Sequence, residues 1–325
     1  MNKITSVLVF FSFLLLNEII LVQNVFSQSD GVRQYKIQYD FQERIFFSYK
    51  MTCSTTIERT NSDSDKQIFN REIVVFLNYY RPSALNNGFA EVRTIFDSIN
   101  YRYDDGKSQY KWSSVGDDKI PACDDFMNLV FPIVGRYYFT TISPYFEVAK
   151  IGSERLDEKR SSNENITSPF HRATWEKANS DDNLNFYSDM NKNVVRPGRF
   201  SIDSTWKMKF TIPIEGIKFS CDTATVKFYL YDGKNFNIKA EMPKMYPNTE
   251  DSACVIGISN VMLKMDSTSD SKGFWDIAVT PRGMINKIVS QFETNAIHII
   301  NGEKISDKIT TNIKYEFLNT LRYAD

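Results

Sequence analysis

The sequence predicts an exported, mainly β protein built from antiparallel sheets, and three observations carry that prediction. Ile45, Phe47, Tyr49, Met51, Cys53, Thr55 and Ile57 are apolar or β-branched at every second position, with Ser48, Lys50, Thr52, Ser54 and Thr56 between them. Side chains on a strand alternate between faces, so this stretch has one buried face and one wet face. The composition is rich in aromatics, 25 Phe and 17 Tyr, against 13 Gly and 10 Pro, which suits pleated, half-buried surfaces. The chain opens with Lys3, an apolar run from Ile4 to Leu16, then Asn17 and Glu18, and a second apolar piece to Phe26. That pattern reads as a secretory signal peptide over residues 1–27, with Val25 and Ser27 at the small-residue positions of the cleavage site. Glu18 within the apolar region argues against a stable membrane span.

The elements follow in order. Tyr35, Ile37, Tyr39 and Phe41 alternate with Lys36, Gln38 and Asp40. Ile73 to Leu77 is a continuous apolar run, predicted to be a strand buried on both faces. Ala90, Val92, Thr94 and Phe96 form another strand, and Tyr101-Arg102-Tyr103 leads into Asp104-Asp105-Gly106. Phe126 to Val134 suggests one or two helical turns broken at Pro132. Pro169 to Ala178 suggests a helix, because Ser168 precedes a first-turn Pro. Later strands run through Trp206 to Ile212, Val226 to Leu230, Phe236 to Met242, and Ile309, Thr311, Ile313, Tyr315 and Phe317. Asp-Gly tolerates the positive φ of tight turns, so Asp105-Gly106 and Asp232-Gly233 are predicted hairpins. Residues 157–193 are polar and cannot bury much surface by themselves. They divide the chain into an N-terminal β half (28–156), a partly helical spacer and a C-terminal β half (194–325).

The two halves look related. Thr140 to Ile151 aligns without gaps on Ile277 to Ile288, and each follows an aromatic strand, Tyr137-Tyr138-Phe139 and Phe274-Trp275. Each block is a strand, a hydroxyl-Pro turn (Ser143-Pro144 and Thr280-Pro281) and a strand ending Lys-Ile, which suggests an internal duplication. With the polar spacer, Val194-Val195-Arg196-Pro197 and Asp203-Ser204-Thr205-Trp206, this plan resembles an uncharacterised family of bacterial exported proteins, domain of unknown function family 6263. The resemblance implies related curved antiparallel sheets or clam-like half-barrels with few short helices. It supplies no catalytic residues.

Four cysteines, Cys53, Cys123, Cys221 and Cys254, in an exported chain are read as disulfide candidates, favouring Cys53 with Cys123 and Cys221 with Cys254. No short Cys-x-x-Cys clip suggests zinc. A net charge of −1, from 39 basic and 40 acidic residues, gives no basic excess for nucleic acid. There are two histidines. His298 lies in an alternating strand and is expected to pack or sit at an edge; His171 is expected to face solvent. No nucleophile elbow, phosphate-cradling loop or dinucleotide motif occurs. The acidic pairs Asp104-Asp105, Asp117-Asp118, Asp124-Asp125 and Asp181-Asp182 are read as turn residues that cap their own backbone. The loop Asp266 to Asp270 lacks the spacing of an EF-hand and is read as a solvated turn. Asn165-Ile166-Thr167 matches a glycosylation acceptor in a eukaryotic host.

No catalytic, cofactor-binding or metal-binding residue and no cofactor is therefore assigned. The expectation is a periplasmic or extracellular β-rich structural or interaction module of the cell envelope, whose partner would be an envelope protein, a glycan or an apolar ligand. A carrier of a lipid or other apolar ligand in a clam-shaped cavity is the alternative, since a curved sheet under short helices can enclose one. A hydrolase with an unrecognised site is a further one. An outer-membrane barrel fits poorly, because Lys and Glu stand where lipid would need an apolar band.

Overall fold

A computed structural model describes residues 27–29, 32–38, 45–60, 65–84, 88–145, 147–152, 169–192, 194–258, 261–300 and 302–322. The expected signal segment lies outside these residues apart from Ser27, as do Asn165-Ile166-Thr167 and the first part of the polar spacer. The protein is mostly antiparallel β. In chain order the strands of the N-terminal half are β1 (Ser27–Ser29), β2 (Val32–Lys36), β3 (Ile45–Thr60), β4 (Lys66–Ala84), β5 (Ala90–Asp104), β6 (Gln109–Ser113), β7 (Tyr137–Ile142) and β8 (Val148–Gly152). Helices α1 (Pro169–Ala178) and α2 (Asp181–Ser188) follow. The C-terminal half contributes β9 (Arg199–Ser201), β10 (Thr205–Ile214), β11 (Ile217–Tyr231), β12 (Phe236–Pro247), β13 (Ser252–Cys254), β14 (Met262–Lys264), β15 (Asp270–Val279), β16 (Ile285–Ile300) and β17 (Glu303–Arg322).

The two halves join edge to edge in one open 12-stranded sheet, in the order β10-β11-β12-β15-β16-β17-β3-β4-β5-β7-β8, with β6 also paired to β5. Each half is a meander, and the seam between them is the long antiparallel pair β17 with β3. One inward row shows the continuity of the register: Trp206, Val226, Ala240, Trp275, Ser290, Ile313, Cys53, Ile73 and Tyr101 stand opposite one another across nine strands. Most of these residues are buried, as a period-two pattern on a one-sided sheet requires.

The sheet is wrapped. β11 lies six strand positions from β4 in the order above, a separation of about 29 Å on a flat sheet with its usual strand spacing. Yet Glu215, in the turn between β10 and β11, forms an ion pair with Arg71 on β4. The concave face is therefore strongly rolled, without β8 and β10 pairing. Helix α2 contacts both of these edge strands. Inward side chains bind the segment around it by its backbone carbonyls: Tyr79 Oη donates to Tyr187, Tyr138 Oη to Leu184 and Trp275 Nε1 to Met190, at 2.8, 3.1 and 3.3 Å.

Several expectations are refined by this geometry. The run Ile73 to Leu77 is fully buried on one face only: Ile73, Val75 and Leu77 point inward, and Val74 and Phe76 are half-buried on the outer face, as in an antiparallel sheet with a single core face. Gly106 and Gly233 sit at φ of 79° and 88° in hairpins, as predicted. The helix expected over Pro169 to Ala178 is present, and Phe126–Val130 and Phe131–Ile133 are short π and 3-10 turns.

Candidate functional site

Under the cover lies a cavity of about 160 Å³. Its floor is Met51 and Cys53 of β3, Arg71 and Ile73 of β4, and Thr311 and Ile313 of β17. Its roof comes from three directions: Leu129 and Ile133 of the helical turns, Phe186 and Tyr187 of α2, and the tip Pro213 to Gly216 between β10 and β11. The walls are mainly apolar. Native cores pack to near crystal density and leave few voids larger than a water molecule, so a hollow of this size is a feature of the site.

Two buried arginines reach it. Arg71 lies on the inward phase of β4 between Phe69 and Ile73, with its side chain 5% exposed. Its Nη1 donates to Asp125 Oδ1 at 2.8 Å, and its Nη2 to Glu215 Oε1 and, at 3.4 Å, to Thr55 Oγ1. Asp125 also accepts the Tyr101 hydroxyl at 2.8 Å. Burial works against the guanidinium charge here, but the carboxylates of Asp125 and Glu215 prevail and hold its pKa well above the usual arginine value. The Tyr101 phenol is pushed up by burial and by the Asp125 charge beside it. Glu215 and Gly216 have φ of 47° and 77°, as in a two-residue hairpin that favours Asn or Gly. A glutamate in the left-handed region is uncommon, and this one is held there with its carboxylate on Arg71.

Arg136 is different. Gly135, at φ 60°, ends the helical turn before it. Its own carbonyl accepts the Phe96 N–H at 3.0 Å, tying it to β5. The residue is 1% exposed and lines the cavity. Nη2 donates to the carbonyl of Ala178 at 2.7 Å, at the C-terminal end of α1, where the helix dipole favours a cation. The guanidinium carbon lies 5.1 Å and 5.4 Å from the ring centroids of Phe96 and Tyr187. Among the described residues Nε and Nη1 meet no hydrogen-bond acceptor. Burial pulls its pKa below the usual arginine value, opposed by the phenols of Tyr187 and Tyr138. Among the described residues no carboxylate stands among the groups acting on it.

The cysteine expectation is corrected. Cys53, Cys123, Cys221 and Cys254 are free thiols, so the expected Cys53–Cys123 and Cys221–Cys254 bridges are not formed. Each thiol is committed to its own surroundings. Cys53 lines the cavity, Cys123 Sγ lies 3.6 Å from the Tyr101 hydroxyl, and Cys221 is buried on β11 opposite Phe210 of β10. Burial raises the Cys254 thiol to about 12. Among the described residues no three His, Cys, Asp or Glu side chains gather to hold a metal.

The repeat turns are alike in detail. Ser143 N–H donates to the Glu147 carbonyl at 2.9 Å and Thr280 N–H to the Met284 carbonyl at 2.8 Å. In each, the hydroxyl oxygen accepts the returning amide, from Glu147 at 3.2 Å and from Met284 at 3.0 Å. Both turns lie away from the cavity lining. His298 is buried on β16 with Nε2 3.9 Å from Asp307. His171, expected to face solvent, is half-buried on α1, since that helix lies against the turns at 126–133. Asp105 and Asp104 cap their turn, accepting from Lys107, Ser108 and Gly106. Asp125 departs from the turn reading of the acidic pairs, because it is buried against Arg71. Sequence patterns do not single out Arg71, Arg136 or Glu215, and they read Asp125 and Tyr101 only as turn and strand residues. The available signal was a charge in the apolar phase of a strand, as at Arg71 between Phe69 and Ile73.

Comparison with known proteins finds no protein-family match and no matching curated protein. Among solved structures, similarity is found to lipovitellin in a study of its lipid–protein interactions, at 9% identity over 88% of this chain and 26% of that one, TM-score 0.42. It is also found to OccK5 (OpdH) of Pseudomonas aeruginosa, at 8% identity over 84% and 98%, TM-score 0.25. DynF from the dynemicin biosynthesis pathway of Micromonospora chersina gives 7% identity over 90% and 92%, TM-score 0.22. The chain thus spans about a quarter of the lipovitellin chain it matches. Overlaps this loose do not carry a functional argument.

Proposed function

We propose that the protein is a non-catalytic carrier that receives an apolar ligand in the hollow of its wrapped sheet, working outside the cytosol as its N-terminal sequence suggests. The observation that carries this reading is the cavity of about 160 Å³ walled by Met51, Ile73, Leu129, Ile133, Phe186 and Ile313. In a purely structural core the side chains would be expected to pack against one another here, since lost contacts cost stability. An apolar cavity of roughly 150 Å³ admits benzene, so a hollow of about 160 Å³ has room for a ring-sized body, with Arg71, Arg136 and Glu215 as the polar part of its lining. The roof is short helices and a hairpin tip, which can part from the floor more readily than strands within the sheet.

Thermal denaturation with toluene tests the reading, because a ligand that binds only the folded state raises the transition temperature by mass action. The wild type should gain stability with toluene concentration, and Ile313→Phe, which fills the hollow, should not. No shift in the wild type, or the same shift in both proteins, would overturn it.

A further inference from the structure

We propose that the ligand is an anion, a carboxylate carried on a ring-sized apolar body, and that Arg136 is the counter-ion for its head. This rests on the apolar-carrier reading and names the chemistry of the ligand. Two buried arginines line the same hollow, and they differ in how their charge is met. Arg71 has Asp125 and Glu215 against it, so it has no charge left for a guest. Arg136 is 1% exposed, has one backbone carbonyl and two ring faces for company, and keeps Nε and Nη1 without an acceptor among the described residues.

A guanidinium shut away from water without an anion is costly, and proteins pair such charges or hydrogen-bond them fully. Arg136 lines the hollow, but its unmatched Nε and Nη1 are closed off from that space, so the guanidinium has to turn toward a guest before its planar fork engages a carboxylate. A head group there would place its apolar body among Leu129, Ile133, Phe186 and Ile313, which line the same cavity. A ligand cation would meet the Arg136 charge, and a neutral ligand would leave its donors unmet. The Arg71 cluster stays closed throughout, since its cation is already matched.

Binding of benzoate, benzyl alcohol and benzylamine to the purified protein, followed by calorimetry and by ligand-observed NMR, tests this. Benzoate should bind at least about tenfold more tightly than benzyl alcohol, the usual gain of a charge-assisted hydrogen bond over its absence, and benzylamine should not bind. Arg136→Met should bring benzoate down to the level of benzyl alcohol, and Arg136→Lys should restore part of the preference. Equal binding of benzoate and benzyl alcohol by the wild type would overturn the assignment while leaving the apolar-carrier reading standing. Binding of none of the three, with no stabilisation by toluene, would remove both. The wild-type ratio decides even if Arg136→Met does not fold.

Discussion

The inward faces of the two halves are built differently. From β10 to β15 the buried side chains of the large sheet include no charged residue. Trp206, Phe228, Ile238 and Trp275 fill that concave wall. The N-terminal half carries Arg59, Arg71 and Arg81 on the inward phase of β3 and β4, and Arg136 just before β7. Two of these cations find carboxylates supplied by the other half. Arg59 grips Asp307 of β17 with two hydrogen bonds of 2.8 and 2.7 Å, and Arg71 takes Glu215. One half thus closes by packing, and the other is clasped to it by charge. The contrast explains how one sheet can hold both a dry wall and a polar end to its hollow.

The strongest way to break this comparison is Arg71→Met. It leaves Asp125 and Glu215 buried without their cation, and losing one side of a buried ion pair typically costs about 3–5 kcal/mol. Urea denaturation should register a loss of that size. Combining Arg71→Met with Asp125→Asn and Glu215→Gln should recover much of it, which simple loss of packing would not allow.

The packed half should break by steric means instead. Gly273 on β15 lies under Phe292, and a Cβ there would sit 2.3 Å from the Gln291 carbonyl oxygen and 2.5 Å from Phe292 Cδ1. Gly273→Ala should cost about 1–3 kcal/mol, the range for overpacking, with no dependence on salt. A neutral result would mean that β15 and β16 are looser than the register implies.

A smaller effect compares the paired turns. Thr280→Val and Ser143→Ala each remove the hydroxyl that accepts the returning amide, worth about 1 kcal/mol for a typical hydrogen bond. Similar losses in denaturation would strengthen the case for related hairpins. A loss at Thr280 alone would show that only the turn between the central strands matters.

The least effect expected is a pH dependence. Burial pulls the His298 pKa below its ordinary value, against the pull of Asp307. The unfolded chain therefore takes up the proton first as pH falls, and the folded state loses stability from about pH 6.5 downward. Above that pH the contribution is complete. His298→Gln should flatten this part of the stability profile relative to wild type, as read by urea midpoints at a series of pH values.

Much of the scaffold was legible because alternation is local. β3 and β17 follow from period-two runs, the hairpins at Gly106 and Gly233 from Asp-Gly, and α1 from its first-turn Pro. Helix α2 falls in the partly helical spacer without being singled out as a helix, although Ser180 at its N-cap and Asp181-Asp182 in its first turn are start signals, the acids favouring the positive end of the helix dipole. Its polar residues hid the inward Leu184 and Phe186. The hollow was not legible at all. It depends on Glu215 meeting Arg71 across 144 residues, and on Arg136 meeting the end of a helix 42 residues later. No local pattern encodes such meetings. The free thiols show the same limit, since cysteine count says nothing of which side chains each sulfur faces.

The seam carries a consequence for biosynthesis. β3 pairs on one side with its neighbour β4, but on the other with β17, whose Asp307 stands 248 residues away from Arg59. While the ribosome is still making the intervening chain, β3 presents an unsatisfied row of amides and carbonyls, a template for illicit strand addition. A nascent chain that stalls before β17 would therefore be sticky along the middle of what should become the sheet, and a holding chaperone that shields strand edges would matter more for it than for a domain that completes itself in order.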